Sequence, residues 1–162
     1  MEDWDEMKSH PAKTKTILDN FHFPRHLRQV PEIAFRHHEK MDGTGYPDGL
    51  TGEQLPLSSR IIAVADVFDA LTSRRDYPKY GFGLTVESDL MSLDLVIDIL
   101  REQAGVHFDP QVVSAFMQTL PHALIRYRGD HFPPAYVDDT LRRLHPELSA
   151  AQRLTSSDPD KR

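Results

Sequence analysis

Between Arg60 and Ser73 the apolar residues Ile61, Val64, Ala65, Phe68 and Leu71 return every three or four positions. That period is helical, because residues three and four apart share one helix face. Asp66, Asp69 and Ser73 fall at i, i+3 and i+7 and take a different face of the same helix. The rest of the chain punctuates in the same way. Pro11 suits the first turn of a helix from Ala12 to Leu18, and a second helical segment runs from Glu32 to His38. Thr85 can cap a helix reaching Gln103, with Glu87 and Asp89 in its first turn and Gly105 just past its end. Asp109-Pro110 opens a helix whose buried stripe is Val112, Val113, Phe116, Met117 and Leu120, and Pro121 is expected to stop it. Two shorter helices are expected, an acidic one over Glu2 to His10 with Trp4 and Met7 on its apolar side, and one over Asp138 to Leu144. Strand-like alternation is absent, so the expected fold class is all-α. The segment from Asp42 to Pro56 is crowded with turn-formers, namely Gly43, Gly45, Pro47, Gly49, Gly52 and Pro56. A loop that long inside a domain points to function or disorder.

The chain has 162 residues, enough for one domain and a tail. The expected organisation is a domain over residues 1–121, a helical extension over 122–148 and a disordered polar tail over 149–162. No cysteine is present, which excludes disulfides, thiolate zinc sites and a cysteine nucleophile. Lys and Arg number 19 against 25 Asp and Glu, a net charge of −6, which argues against DNA or RNA as partner. No apolar run is long enough for a membrane span, and the acidic start Met1-Glu2-Asp3-Trp4-Asp5 lacks the features of a signal peptide.

Nine histidines are many for this length, and four groups of residues stand out. They are His10 just before a helix start, His37-His38-Glu39 facing the glycine-rich loop, the carboxylates Asp66 and Asp69, and the cations Arg74, Arg75 and Lys79. Imidazole together with carboxylate suits a divalent metal, iron or manganese foremost, with zinc or nickel compatible. Adjacent histidines on one helix point about 100° apart, which hinders a shared grip on one ion. Two neighbouring ions would clamp the attacking and leaving oxygens of a phosphodiester. The cations would hold an anionic ligand. The plain alternatives stay open at this point: a histidine doublet without metal, and a salt bridge from Asp66 to Arg60.

The run His37-His38-Glu39-Lys40-Met41-Asp42-Gly43-Thr44-Gly45-Tyr46-Pro47 resembles the signature of HD-GYP domains, bacterial cyclic di-GMP phosphodiesterases of the HD metal-hydrolase superfamily. The likeness continues through Arg60 to Ser73 and through Gly105 to Pro110, and upstream through Trp4 to His10-Pro11. The resemblance implies an HD-domain-like helical bundle, matched here over its C-terminal portion without the family's N-terminal helices. It implies metal ligation by His10, His37, His38 and Asp66, and substrate contacts from Gly45, Tyr46, Pro47, Asp69, Arg75 and, less directly, Lys79. The implied reaction is metal-dependent hydrolysis of cyclic di-GMP to linear pGpG or GMP, in the cytoplasm. GGDEF-type cyclase proteins are the implied partners of the Gly-Tyr-Pro loop. The chain departs from the pattern in carrying no His-Asp dipeptide. The alternative reading is therefore a module that binds ligand or partner without turnover. With part of the family's bundle unmatched, exposed apolar surface is expected on the Ile61–Leu71 helix, and a homodimer is one way to cover it.

Overall fold

Two prolines start the first two helices. Pro11 lies in the first turn of α1 (His10–Leu18) and Pro31 in the first turn of α2 (Val30–Phe35); both are buried. Proline is at home there because its missing N–H would have no intrahelical partner anyway. The computed structural model describes residues 6, 8–72, 79–81, 84–86, 92–127 and 132–144. Among these, four further helices follow: α3 (Leu57–Thr72), α4 (Leu93–Glu102), α5 (Pro110–Tyr127) and α6 (Pro134–Leu144). The fold is all-α, with one small addition. Strands β1 (Lys79–Gly81) and β2 (Leu84–Val86) pair antiparallel, Tyr80 opposite Thr85. Thr85 is thus a strand residue rather than a helix cap, and three-residue strands are too short to leave an alternating pattern in sequence. The expected helix over Glu2 to His10 and the expected tail over 149–162 lie outside the described residues, apart from Glu6 and residues 8–10. No helix of the described residues is long and apolar enough to cross a membrane.

The chain forms two compact units, Met1–Asp69 with Ile99–Val113, and Ala70–Asp98 with Ser114–Arg162. In the first, α1 packs on α2. The long loop that follows is ordered by short-range bonds. Thr51 and Gln54 form a capping box on a 3₁₀ turn over Gly52–Gln54. Asp42 N donates to Val106 O at 3.0 Å and Met41 N to His107 O at 3.2 Å. Asp109 caps α5 as its sequence suggests, with Oδ1 accepting from Gln111 N at 2.7 Å, while Oδ2 takes Arg60 Nη1 at 2.5 Å. Arg60 is therefore engaged with Asp109, not Asp66.

That ion pair also turns α3. Ser59 Oγ donates to Ile33 O at 3.3 Å, so Ser59 and Arg60 face inward, and Ala63 and Val64, four residues on, are buried with them. The expected stripe is rotated in part: Val64 and Leu71 are buried and Phe68 is half-buried, but Ala65 is exposed and Ile61 is 48% exposed. Leu57, Ile61 and Ile62 form an exposed apolar edge.

In the second unit Leu93, Val96 and Ile97 of α4 are buried, as are Val137, Thr140 and Leu141 of α6. Tyr136 Oη accepts the N–H of Leu93 at 2.9 Å, and Arg143 reaches Asp94 at 2.9 Å. Pro121 does not stop α5; the helix runs through it to Tyr127. A mid-helix proline forfeits one backbone bond and crowds the preceding turn. Here Leu120, Pro121 and Leu124 are all buried, and that burial offsets the loss.

Candidate metal centre

His10 is the first residue of α1 and so stands at a helix entrance. α2 ends earlier than its sequence suggests, at Phe35, because Arg36 leaves helical geometry with φ −103° and ψ 11°. His37 and His38 therefore lie in a turn, where the helical divergence of neighbouring side chains no longer applies. Both rings reach His10: His37 Nε2 is 3.3 Å and His38 Nε2 3.0 Å from His10 Nε2. The nitrogens that the three residues offer all lie within 4.8 Å of one another.

The protonation of this group follows from its neighbours. His37 Nδ1 is 2.6 Å from the carbonyl of Ala34, which can only accept. In the neutral ring Nδ1 therefore keeps the proton, and Nε2 turns its lone pair toward His10. His38 is held neutral, its pKa lowered to about 3, chiefly by burial and then by the positive charge that His37, His10 and His107 would carry. A neutral His10 has at most one Nε2 proton to share between two facing nitrogens. A cation at the centre would satisfy all three lone pairs, so the donor set fits a divalent metal of the nitrogen-binding kind. The Ala34 carbonyl is the outer partner that fixes the ring orientation of a ligating histidine.

Asp66 is not a member of the three-histidine group. It is half-buried on α3, and its charge bears on the Tyr46 hydroxyl. Tyr46 stacks on His38, ring centroids 4.8 Å apart. Burial first, and Asp66 second, push its pKa up to about 12, so it remains a neutral phenol. Lys8 Nζ lies over the Tyr46 ring, 5.7 Å from its centroid. Gly45, before it, lies against the Glu39–Lys40 main chain: a Cβ there would sit 2.5 Å from Glu39 Cα. Pro47 and Asp69 are exposed. Arg74 and Arg75 fall outside the described residues, and Lys79 lies in β1.

Three residues beside the site were given no individual role in the sequence reading, although Glu39 was grouped with the histidine pair. Glu39 is buried, and its carboxylate accepts three backbone N–H groups of the glycine-rich loop. Lys8 faces Tyr46. His107 stacks on Phe108 at 4.2 Å, and burial lowers its pKa to about 4. The signal for Glu39 was its place directly after the histidine pair.

An HD-domain family model matches residues 1–112. The cyclic di-GMP phosphodiesterase response regulator RpfG of Xanthomonas campestris pv. campestris is 42% identical over 112 residues, 69% of this chain and 27% of that protein. A cyclic di-GMP phosphodiesterase of Vibrio cholerae is 44% identical over 125 residues, covering 72% of this chain and 22% of its own length. A 3'3'-cGAMP-specific phosphodiesterase of the same organism is 38% identical over 118 residues, 72% of this chain and 20% of that protein. The chain thus spans about a quarter or less of each of these three relatives. With the histidine cluster, the Gly-Tyr-Pro loop and these similarities together, the chain belongs to the HD-domain family and carries its HD-GYP signature.

Proposed function

We propose that this chain carries the His10, His37, His38 and Asp66 part of a metal-dependent phosphodiesterase site for cyclic dinucleotides, cyclic di-GMP foremost. The observation that carries the reading is the convergence of three imidazoles with the His37 proton tied to the Ala34 carbonyl. When bound, a divalent ion such as iron or manganese supplies Lewis acidity toward the phosphodiester oxygens. The chain's own residues do the rest. The three histidines offer lone pairs, and Asp66 supplies the carboxylate of the mixed donor set. Tyr46, an un-ionised phenol stacked on His38, presents a flat aromatic wall and a hydroxyl donor to a base or a phosphate. Asp69, Arg75 and Lys79 take the remaining substrate contacts, with the Arg75 fork on phosphate or a guanine edge. The products are linear pGpG or GMP, in the cytoplasm.

A second reading, ligand or partner binding without turnover, is favoured by one observation: Asp66 stands outside the cluster of three imidazoles. In that reading the exposed Pro47 end of the loop is a contact for GGDEF-type proteins.

Metal analysis of the purified protein, with hydrolysis of cyclic di-GMP and of 3'3'-cGAMP followed in manganese and in ferrous iron, separates the readings. Metal with turnover supports the first, and metal or dinucleotide binding without turnover the second. Binding neither metal nor dinucleotide refutes both. Arg75→Ala is expected to weaken cyclic di-GMP binding by about 1.5 to 3 kcal/mol, the worth of hydrogen bonds to a charged group.

A further inference from the structure

The loop that carries Tyr46 hangs from one buried carboxylate. Glu39 is 2% exposed. Its Oε1 accepts from Asp48 N at 2.6 Å and Gly49 N at 3.1 Å, and its Oε2 accepts from Leu50 N at 3.0 Å. The other end of the same segment is pinned to the main chain beside Glu39. Tyr46 N donates to His38 O at 3.2 Å, and Gly45 packs so closely on Glu39 that no side chain fits. Tyr46 lies between these two anchors, its ring 4.8 Å from that of His38. An ionised carboxylate with three converging donors is well matched, since it accepts only and has lone pairs for all of them.

We propose that Glu39 is the positioning residue that sets Tyr46 over His38, through the backbone of residues 48–50. It is not among the residues whose ligand atoms converge at the metal centre, and both its oxygens are engaged by the loop. The residue after the histidine pair thereby couples that pair to the loop's aromatic wall. The consequence for ligand binding rests on the proposed cyclic-dinucleotide site, whereas the coupling itself does not.

Glutamine keeps the shape but carries one acceptor oxygen and an NH₂ that would face a donor, so Glu39→Gln can retain at most two of the three bonds. The test labels the chain with 3-fluorotyrosine and assigns the Tyr46 fluorine resonance by Tyr46→Phe. In metal-free protein, Glu39→Gln is expected to move the Tyr46 resonance toward its unfolded position while the other tyrosine signals stay. Glu53→Gln, on an exposed site of the same loop, should move none. An unmoved Tyr46 signal in folded Glu39→Gln overturns the proposal. A second measurement needs no variant: the amides of Asp48, Gly49 and Leu50 should be protected from solvent exchange in the unmodified chain, and rapid exchange also overturns it. Calorimetry with cyclic di-GMP supplies the functional arm. Glu39→Gln is expected to weaken binding about tenfold, the lower range for groups that orient a site from behind, and to add nothing in a Tyr46→Ala background. Additive losses would show that Glu39 acts by another route. If the unmodified chain binds no cyclic di-GMP, the proposed function fails, and the fluorine and exchange arms still decide the role of Glu39.

Discussion

His37 and His38 are neighbours in sequence with different surroundings, and their differences are testable residue by residue. His37 is oriented through its Nδ1 by the Ala34 carbonyl, and His38 is packed between His37 and Tyr46. Replacing His10, His37 or His38 by alanine is expected to lower divalent-metal affinity by about 100-fold or more, exceeding what outer partners alone contribute. Helical circular dichroism should stay largely unchanged. Retained metal affinity, measured by calorimetry, would contradict the three-imidazole site. Burial of the rings also sets a pH dependence. The His38 pKa falls from 6.5 to about 3, and the His107 pKa from 6.5 to about 4. Between those values and 6.5 the unfolded chain binds more protons than the folded one, so stability rises with pH across that window. The metal-free protein is expected to be most stable above pH 6.5 and to weaken as pH falls toward about 4. Urea midpoints with chelator present, compared near neutrality and in mild acid, check this; an equal or higher midpoint in acid contradicts it.

At the scale of elements, Asp109 joins two helices with one carboxylate. Oδ1 caps α5 and Oδ2 pairs with Arg60 of α3, in a residue 4% exposed. Asp109→Ala removes both, and leaves the Arg60 guanidinium without its partner. Breaking a fully buried pair costs about 3 to 5 kcal/mol; with the Arg60 side chain 27% exposed the loss is smaller, and the lost cap adds about 1 kcal/mol. Asp109→Asn keeps a capping oxygen and gives up the charge, so it should cost less. The order unmodified, Asn, Ala in urea stability is the expected result; an Asn variant as unstable as the Ala variant would show that the cap contributes nothing. The loop before α3 behaves as an element in its own right. Asp42, Thr51 and Gln54 close it locally, and Glu39 anchors it from inside.

For the whole molecule, metal and stability are linked. Any ion that binds the folded chain and not the unfolded one stabilises it, by about 2.7 kcal/mol at 100 times the dissociation constant. Manganese or ferrous iron should therefore raise the melting temperature, chelator should reverse the rise, and the His38→Ala protein should show no rise. An equal shift in that variant would place binding elsewhere. The first unit also carries exposed apolar side chains: Ile17 at 60%, Phe21 at 62%, Leu57 at 55% and Ile61 at 48%. The exposure of Ile61 agrees with the apolar surface expected on the Ile61–Leu71 helix, whereas Phe21 lies in a bend after α1.

That rotation of α3 marks the boundary between what sequence determined and what tertiary structure decided. Helix positions were legible from local chemistry. Pro11 and the Asp109-Pro110 pair start helices because proline and capping carboxylates act within a few residues. The signature around His37-His38 was legible because its residues are contiguous. Which face of α3 turns inward was not: Ser59 bonding to Ile33 and Arg60 pairing with Asp109 are contacts across 26 and 49 positions. Pro121 passes through α5 because its surroundings bury it, which no local rule foresees. The site divides in the same way. Composition and motif named His10, His37 and His38. Their meeting required α2 to end at Phe35, and the role of Glu39 required the loop to fold back over it. Periodicity records what each residue does for its own helix, whereas the pairing of distant polar groups is settled only when the elements pack.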